Sequence, residues 1–158
     1  QNLPHQARDE AQVQAILRGG YVLAEADAPA LVIIATGSEV GLAMAARAAL
    51  DAEGVAVRVV SMPCPTLFDR QTDEWRRSVL PAGVPRLVIE AAHGAGWWRT
   101  IAEGGAGGDV IGIERFGESA PAGDLLARFG FTSAAVLERA RALLAATNQA
   151  RQATNACC

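Results

Sequence analysis

The chain lacks several features that would assign it to a common functional class. Its 158 residues carry 14 basic and 17 acidic side chains, a formal net charge of −3, with no long basic run, which argues against a nucleic-acid partner. No apolar run approaches the roughly 20 residues that span a bilayer, so no membrane partner is expected. Since 51% of the residues are apolar, we expect one domain with a core of its own.

Cysteine and histidine are also scarce. There are three cysteines and two histidines, no Cys-x-x-Cys pair, and no ligand-like histidine spacing. The sequence therefore predicts neither a disulfide framework nor a metal site, and the cytosol is the default compartment. Cys64 stands between two prolines, and we expect a partly buried, inert thiol because no neighbour in sequence activates it.

The two ends of the chain differ in composition from its middle. The first residues show no signal-peptide pattern and no initial Met, and we expect a fragment of a longer protein. Residues 1–15 are polar and predict an irregular incoming linker. Residues 16–147 are predicted to form the domain, and residues 148–158 a polar, disordered tail.

The stretch from Leu31 to Val40 organises the domain. Leu31–Ala35 is a short apolar run typical of a buried strand, and Thr36-Gly37 ends it. Ser38 is predicted to cap a helix running to about Glu53, its hydroxyl accepting from a first-turn N–H. A strand that runs into a helix is half of a βαβ unit, which implies a parallel sheet covered on both faces.

Four further segments are predicted strands: residues 20–25, 56–61, 86–91 and 109–113. The first is joined to Leu31 by a connection too short for a parallel crossover, so it should run antiparallel, beside the second. Gly54 should end the helix that begins near Ser38, and residues 63–71 should form turns. Further helices are predicted at 73–78 after a Thr72 cap, at 97–103, at 122–129 and from a Thr132 cap. The pattern predicts an α/β fold, a three-layer α/β/α domain with a five-stranded mixed sheet whose first strand is antiparallel.

Gly37, Ser38 and Glu39 form a candidate anion-binding site. They open a helix at the end of a parallel strand, where free N–H groups can bind an anion. The alternative is a plain helix start, because Glu39 already supplies negative charge there.

Other candidate residues lie in loops and at strand ends. Asp69 and Asp73 flank Arg70, either as an acid–base pair or as solvated turn residues, and the second is favoured. His93 follows a strand end, as catalytic residues in α/β folds often do, but it has no partner in sequence and is interpreted as a loop histidine. Glu90 must find a donor or an interface partner.

Adjacent tryptophans form a candidate interface. Trp97 and Trp98 point apart on a helix, so one can enter the core while the other faces outward. The outward residue is a candidate contact side chain.

A series of motifs occurs in one order along residues 1–146 and closely resembles the C-terminal third of transketolase. They are Gln1-Asn2-Leu3-Pro4, Arg18-Gly19-Gly20-Tyr21-Val22-Leu23, Ile34-Ala35-Thr36-Gly37-Ser38-Glu39-Val40, Val57-Arg58-Val59-Val60-Ser61-Met62-Pro63, Phe68-Asp69-Arg70-Gln71, Ser78-Val79-Leu80-Pro81, Ile89-Glu90-Ala91 and Phe116-Gly117-Glu118-Ser119-Ala120-Pro121-Ala122.

The resemblance implies a parent transferase of the pentose phosphate pathway. Such enzymes use thiamine diphosphate and a divalent cation to move a two-carbon ketol unit from a ketose phosphate to an aldose phosphate. The parent is expected to be a cytoplasmic homodimer with three domains per subunit, this chain being the third and following the pyrimidine-binding domain. The family sheet has the order 1-3-2-4-5, which does not place the first strand beside the second.

The resemblance also implies that this chain carries no catalytic, cofactor-binding or metal-binding residue. The family's Gly-Asp-Gly and Asn motif for the diphosphate and metal is not in the sequence, and its phosphate-gripping arginine falls one position before Gln1. The chain alone is therefore predicted to be inactive and to bind no cofactor. Its expected role is structural, in contacts with the rest of the transketolase chain and in dimerisation.

The predicted contact residues are Glu90, Trp97, Trp98, Phe116 and Ser119. Three alternatives remain open: a regulatory module that binds a small anion near Ser38, an autonomous enzyme using Asp69 or His93, and the third domain of another thiamine diphosphate enzyme, such as pyruvate dehydrogenase or deoxyxylulose phosphate synthase. The segment Phe116–Ala122 favours transketolase over the last.

Overall fold

A computed structural model describes residues 8–156 and contains a five-stranded sheet with helices on both faces. In chain order the elements are α1 (Glu10–Ile16), β1 (Tyr21–Ala24), β2 (Leu31–Ala35), α2 (Val40–Ala52), β3 (Val57–Ser61), α3 (Pro65–Asp69), α4 (Asp73–Val79), β4 (Arg86–Ile89), α5 (Trp98–Ala102), β5 (Gly108–Ile111), α6 (Ala122–Arg128) and α7 (Ser133–Ala156). Two 3-10 helices, Gly37–Glu39 and Gly94–Trp97, precede α2 and α5.

The strand order is β1-β3-β2-β4-β5, with β1 antiparallel to β3 and every other pair parallel. The mixed sheet, its antiparallel first strand and the order implied by the family resemblance are confirmed. The placement of β1 beside β2, inferred from the short connection, is wrong. Both edges of β2 are taken by parallel partners, β3 and β4, so β1 pairs with the free edge of β3 instead.

Two hydrophobic clusters give the domain its three layers. Side chains of the central strand alternate between the faces of the sheet, as the pleat of a strand requires. Leu31 and Ile33 of β2 face one cluster, which is covered by α2 and α7. Val32 and Ile34 face the other cluster, together with Phe68 of α3, Val79 of α4 and Ile101 of α5. All four β2 side chains named here are fully buried.

Several helix boundaries follow the predicted capping chemistry. The Thr72 hydroxyl accepts from the Trp75 N–H at 3.3 Å, and the Thr132 hydroxyl accepts from the Ala135 N–H at 3.2 Å, so both predicted caps are confirmed. Gly54 follows α2 with φ of +79°, a left-handed conformation that glycine adopts without a Cβ penalty.

Three segments predicted to be irregular are helical. Part of the predicted 1–15 linker forms α1, because the Asp9 side chain and Gln12 cap each other's backbone N–H groups, whereas residues 1–7 lie outside the described residues. The segment after β3, predicted as turns, forms α3, with Pro65 in its first turn. The predicted disordered tail continues α7 as far as Ala156, with the Arg151 guanidinium donating to the Gly83 carbonyl at 2.9 Å. None of the described helices is long and apolar enough to cross a bilayer.

Two arginines from the sheet bind the C-terminal end of α4. Arg58 of β3 donates to the Ser78 carbonyl at 2.8 Å and to the Val79 carbonyl at 3.2 Å. Arg86 of β4 donates to the next two carbonyls, those of Leu80 at 2.9 Å and Pro81 at 3.3 Å. Arg86 also donates to the Thr100 carbonyl in α5 and is only 3% exposed. The last carbonyls of a helix have no intrahelical partner, so these guanidinium groups satisfy them and join α4 to the sheet.

Candidate functional site

The carboxyl ends of the parallel strands gather most of the predicted site residues. Ala35 of β2 and Ile89 of β4 are paired in register, so the turn after β2 and the loop after β4 start side by side. The strand order changes direction between these two strands, because the chain goes from β2 to β3 on one side and later returns to β4 on the other. In open α/β sheets, ligands bind at such a switch point.

The turn after β2 does not have the predicted capping geometry. Gly37–Glu39 is a 3-10 turn, and α2 starts only at Val40. The prediction that Ser38 caps the helix is wrong, since neither this turn nor α2 begins with a side-chain cap hydrogen bond. The Ser38 hydroxyl instead donates to Glu39 Oε1 at 2.6 Å. Glu39 is 5% exposed, and a buried carboxylate needs such a donor. The turn therefore holds a carboxylate where an anion was predicted, and the anion site at Gly37, Ser38 and Glu39 stays a prediction without a supporting contact.

The loop after β4 brings together two groups that are distant in sequence. His93 is exposed, its Nδ1 accepts from the Ala95 N–H at 3.3 Å, and its Nε2 lies 3.3 Å from Glu114 Oε2. The sequence does not reveal Glu114 as a partner because it follows β5, and only the pairing of β5 with β4 brings it beside His93. Glu90 is half-buried, and its N–H donates to the Ile111 carbonyl at 3.0 Å. His93 thus starts the 3-10 helix Gly94–Trp97 as a capping side chain.

The two aspartates considered as an acid–base pair are each bound to arginine. Asp69 pairs with Arg99 of α5. Asp73 accepts from Arg76 Nη2 at 2.6 Å, and that hydrogen bond, with the charges of Arg76 and Arg77, holds the pKa of Asp73 below its ordinary value. These contacts favour the interpretation as surface ion pairs.

Cys64 precedes α3 and is exposed, so the prediction of a partly buried thiol is wrong. The apolar residue that enters the core from this segment is Phe68.

The candidate contact residues divide between core and surface. Trp97 is 6% exposed and packs in the core with α4 and α5, so it offers no contact surface and its inclusion among the interface candidates is wrong. Trp98 is 50% exposed and Phe116 is 97% exposed, and Ser119 is exposed in the same loop as Phe116. Large apolar side chains in that position are typical of surfaces that bind another protein segment.

The strand order, the antiparallel first strand and the helices on both faces define a class, an α/β/α domain with a mixed sheet, here with an exposed apolar loop after its last strand. Comparison with known families gives the particular one. Residues 19–132 match the family described as the transketolase-like TK C-terminal domain, and the chain belongs to that family.

Known relatives extend the match beyond that segment. Transketolase 1 of Vibrio cholerae is 51% identical over 147 residues, which cover 92% of this chain and 22% of the relative. The solved structure of transketolase from Leishmania mexicana is 41% identical with a TM-score of 0.77, covering 85% of this chain and 19% of that one. The chain therefore spans about a fifth of the length of these transketolases.

A third solved structure is a split-gene transketolase described as an inactive β4 tetramer. It is 27% identical, with a TM-score of 0.60, and the match covers 80% of this chain and 42% of that chain.

Proposed function

We propose that this chain is the third domain of a cytoplasmic transketolase that transfers a two-carbon ketol unit between sugar phosphates in the pentose phosphate pathway. In this proposal thiamine diphosphate and a divalent cation supply the carbanion chemistry in other domains of that enzyme. The observation that carries the proposal is the extent of the match, 92% of this chain against 22% of a relative that is 51% identical.

The donor set of this domain does not fit the cation. In the part of the chain that the structure describes, no three His, Cys, Asp or Glu side chains come together in a way that could hold a metal ion. Among the acidic residues considered above, Asp69 and Asp73 pair with arginine, Glu39 accepts from a hydroxyl and Glu114 lies beside His93. No step of the ketol transfer is assigned to these residues.

The role proposed for the domain is contact with the rest of the enzyme and with a second subunit. Phe116 and Trp98 supply the exposed apolar area, and Ser119 and Glu90 supply polar groups in the loops beside them. In a two-fold homodimer such a contact would be isologous, with the same patch on both subunits. The split-gene transketolase, whose β chains form a tetramer, supports association through a chain that includes this domain.

An activity test addresses the first part of the proposal. The purified chain should give no ketol transfer in a coupled assay and no saturable heat on titration with thiamine diphosphate and magnesium, with a full-length transketolase as positive control. Turnover or saturable cofactor binding by the chain alone would refute this assignment of roles.

A sedimentation test addresses the contact role. Sedimentation across a concentration series should show weak self-association, and Phe116→Ser should reduce it because the substitution removes the most exposed apolar side chain. Leu17→Ser is the matched control, since Leu17 is 63% exposed but lies just after α1, away from the proposed surface. A strict monomer, or an equal effect of both substitutions, would contradict the contact role.

A further inference from the structure

A cleft beside α4 lies at the start of β4, the opposite end of that strand from the loops already described. It is lined by charged side chains from α4, from the first residue of β4 and from Glu103 directly after α5, and its volume is about 310 Å³. One water occupies roughly 30 Å³, so this cleft can hold an ion of phosphate size with several waters. Its lining residues are Phe68, Asp73, Arg76, Arg77, Leu80, Ala82, Arg86 and Glu103.

Unpartnered hydrogen-bond donors concentrate around this cleft. Among the described residues, the buried side-chain nitrogens and oxygens without a partner are Trp75 Nε1, Arg76 Nε and Arg86 Nε. All three are N–H donors, and two of them belong to arginines that line the cleft. A buried donor without an acceptor is destabilising, and such groups usually indicate a water or an ion.

Gly104 packs closely against the Arg86 guanidinium. A Cβ on Gly104 would lie 2.8 Å from Arg86 Nε, so this position leaves no room for a side chain beside Nε. Arg86 is 97% buried, being 3% exposed, and its other nitrogens donate to backbone carbonyls. None of the ion pairs among residues 8–156 includes Arg86, so no carboxylate there directly neutralises its charge.

The charges of the lining favour an anion. Three arginines face two carboxylates, Asp73 and Glu103, a net charge of 3 − 2 = +1. Asp73 holds Arg76 at 2.6 Å but lies 3.8 Å from Arg77, and Glu103 lies 3.9 Å from Arg76. The two longer contacts are weak, and Arg77 is 77% exposed, so Asp73 and Glu103 neutralise these arginines only in part. Burial also lowers the pKa of Arg86, partly opposed by the charge of Glu103.

We propose that this cleft binds a small dianion of the phosphate class, with Arg76, Arg77 and Arg86 as its donors. Guanidinium groups bind phosphate oxygens through paired N–H bonds, a geometry that lysine does not reproduce. Asp73 and Glu103 compete with the ligand for the same donors. Removing either carboxylate therefore strengthens binding, an outcome opposite to that expected of a purely structural ion-pair network. The proposal does not depend on the family role given above.

The test is a calorimetric titration of the full chain with inorganic phosphate at constant ionic strength maintained by chloride. Glu103→Gln should tighten binding, and Arg77→Gln should weaken it, each by about two- to fivefold, the range of an exposed charge pair. The Glu103 side chain is 47% exposed and the Arg77 side chain is 77% exposed, so both variants should fold. The matched controls are Glu53→Gln and Arg141→Gln, which break an ion pair between α2 and α7 and should leave the affinity unchanged.

A second titration with glycerol phosphate distinguishes free phosphate from a phosphate monoester as the natural ligand. Binding of either one, with the opposite responses of the Glu103 and Arg77 variants, supports the proposal. The absence of saturable binding even in Glu103→Gln, or equal shifts in the control variants, would overturn it, because the signal would then report general charge screening. The supporting and the overturning result of these titrations can be distinguished whether or not the chain self-associates or takes part in ketol transfer.

Discussion

Arg86→Met removes the buried cation that holds the ends of α4 and α5 while nearly preserving side-chain volume. Arg86 donates to the Leu80 carbonyl at 2.9 Å, to the Pro81 carbonyl at 3.3 Å and to the Thr100 carbonyl. Hydrogen bonds from a charged donor contribute about 1.5–3 kcal/mol each, so the bonds to the Leu80 and Thr100 carbonyls together contribute about 3–6 kcal/mol. Relief of the desolvation of a buried charge offsets part of this loss. We therefore expect the free energy of unfolding to fall by about 2–4 kcal/mol.

Urea denaturation followed by tryptophan fluorescence measures this loss. With a urea m-value of about 2 kcal/mol per molar, the midpoint should fall by about 1–2 M. Arg77→Met is the matched control, because Arg77 lies on the same helix but is 77% exposed with one ion pair at 3.8 Å. Its effect should stay within about 0.5 kcal/mol. If Arg86→Met costs no more than Arg77→Met, the carbonyls of α4 are satisfied in another way and the reasoning fails.

Three further substitutions test other features of the fold. Gly104→Ala should lower the melting temperature, because its Cβ would lie 2.8 Å from Arg86 Nε and 3.1 Å from the Ile101 carbonyl. As a control, a Cβ on Gly41 in α2 meets nothing within 4 Å, so Gly41→Ala should leave the melting temperature unchanged or raise it. Equal effects of the two substitutions would contradict the packing around Gly104. Thr72→Ala should cost about 1 kcal/mol in urea because α4 loses its cap, and a neutral result would argue against that cap. Glu53→Gln should reduce the loss of stability on acidification. Arg141 holds the pKa of Glu53 below its ordinary value of 4.5, so the ion pair stabilises the fold above that pH and its contribution disappears as pH falls through the lower folded-state pKa. Urea midpoints at neutral and acidic pH measure this, and identical pH profiles for the variant and the parent chain would refute it.

Local signals in the sequence were sufficient where one short segment decides its own structure. The apolar run Leu31–Ala35 is a strand, and Thr72 and Thr132 cap helices, because a buried β-branched run and a hydroxyl at a helix start act within a few residues. Gly54 ends α2 for the same kind of reason. Ser38 also carries a hydroxyl near a helix start, yet it caps nothing, because α2 begins only at Val40 and the hydroxyl donates to the buried Glu39 carboxylate.

The candidate sites were less predictable because their partners come from distant segments. His93 meets Glu114 across the ends of β4 and β5, and Asp69 meets Arg99 across α3 and α5. Nothing in the spacing of these residues indicates the contact. The arginine cleft is the clearest case, since Arg76 of α4, Arg86 of β4 and Glu103 after α5 are far apart in sequence and meet only in the folded domain.

By itself the sequence determined the class of fold, the family and the character of the central strands, because these depend on apolar periodicity and on motifs that are continuous in the chain. Only the tertiary structure decided which edge β1 occupies, since that choice depends on β2 having two parallel partners already. It also decided that Trp97 is core and Trp98 surface, and that Arg86 is buried among carbonyls without a carboxylate. The physical reason is the same in each case: burial and hydrogen-bond partners are set by elements that meet in space, and no single stretch of chain contains them.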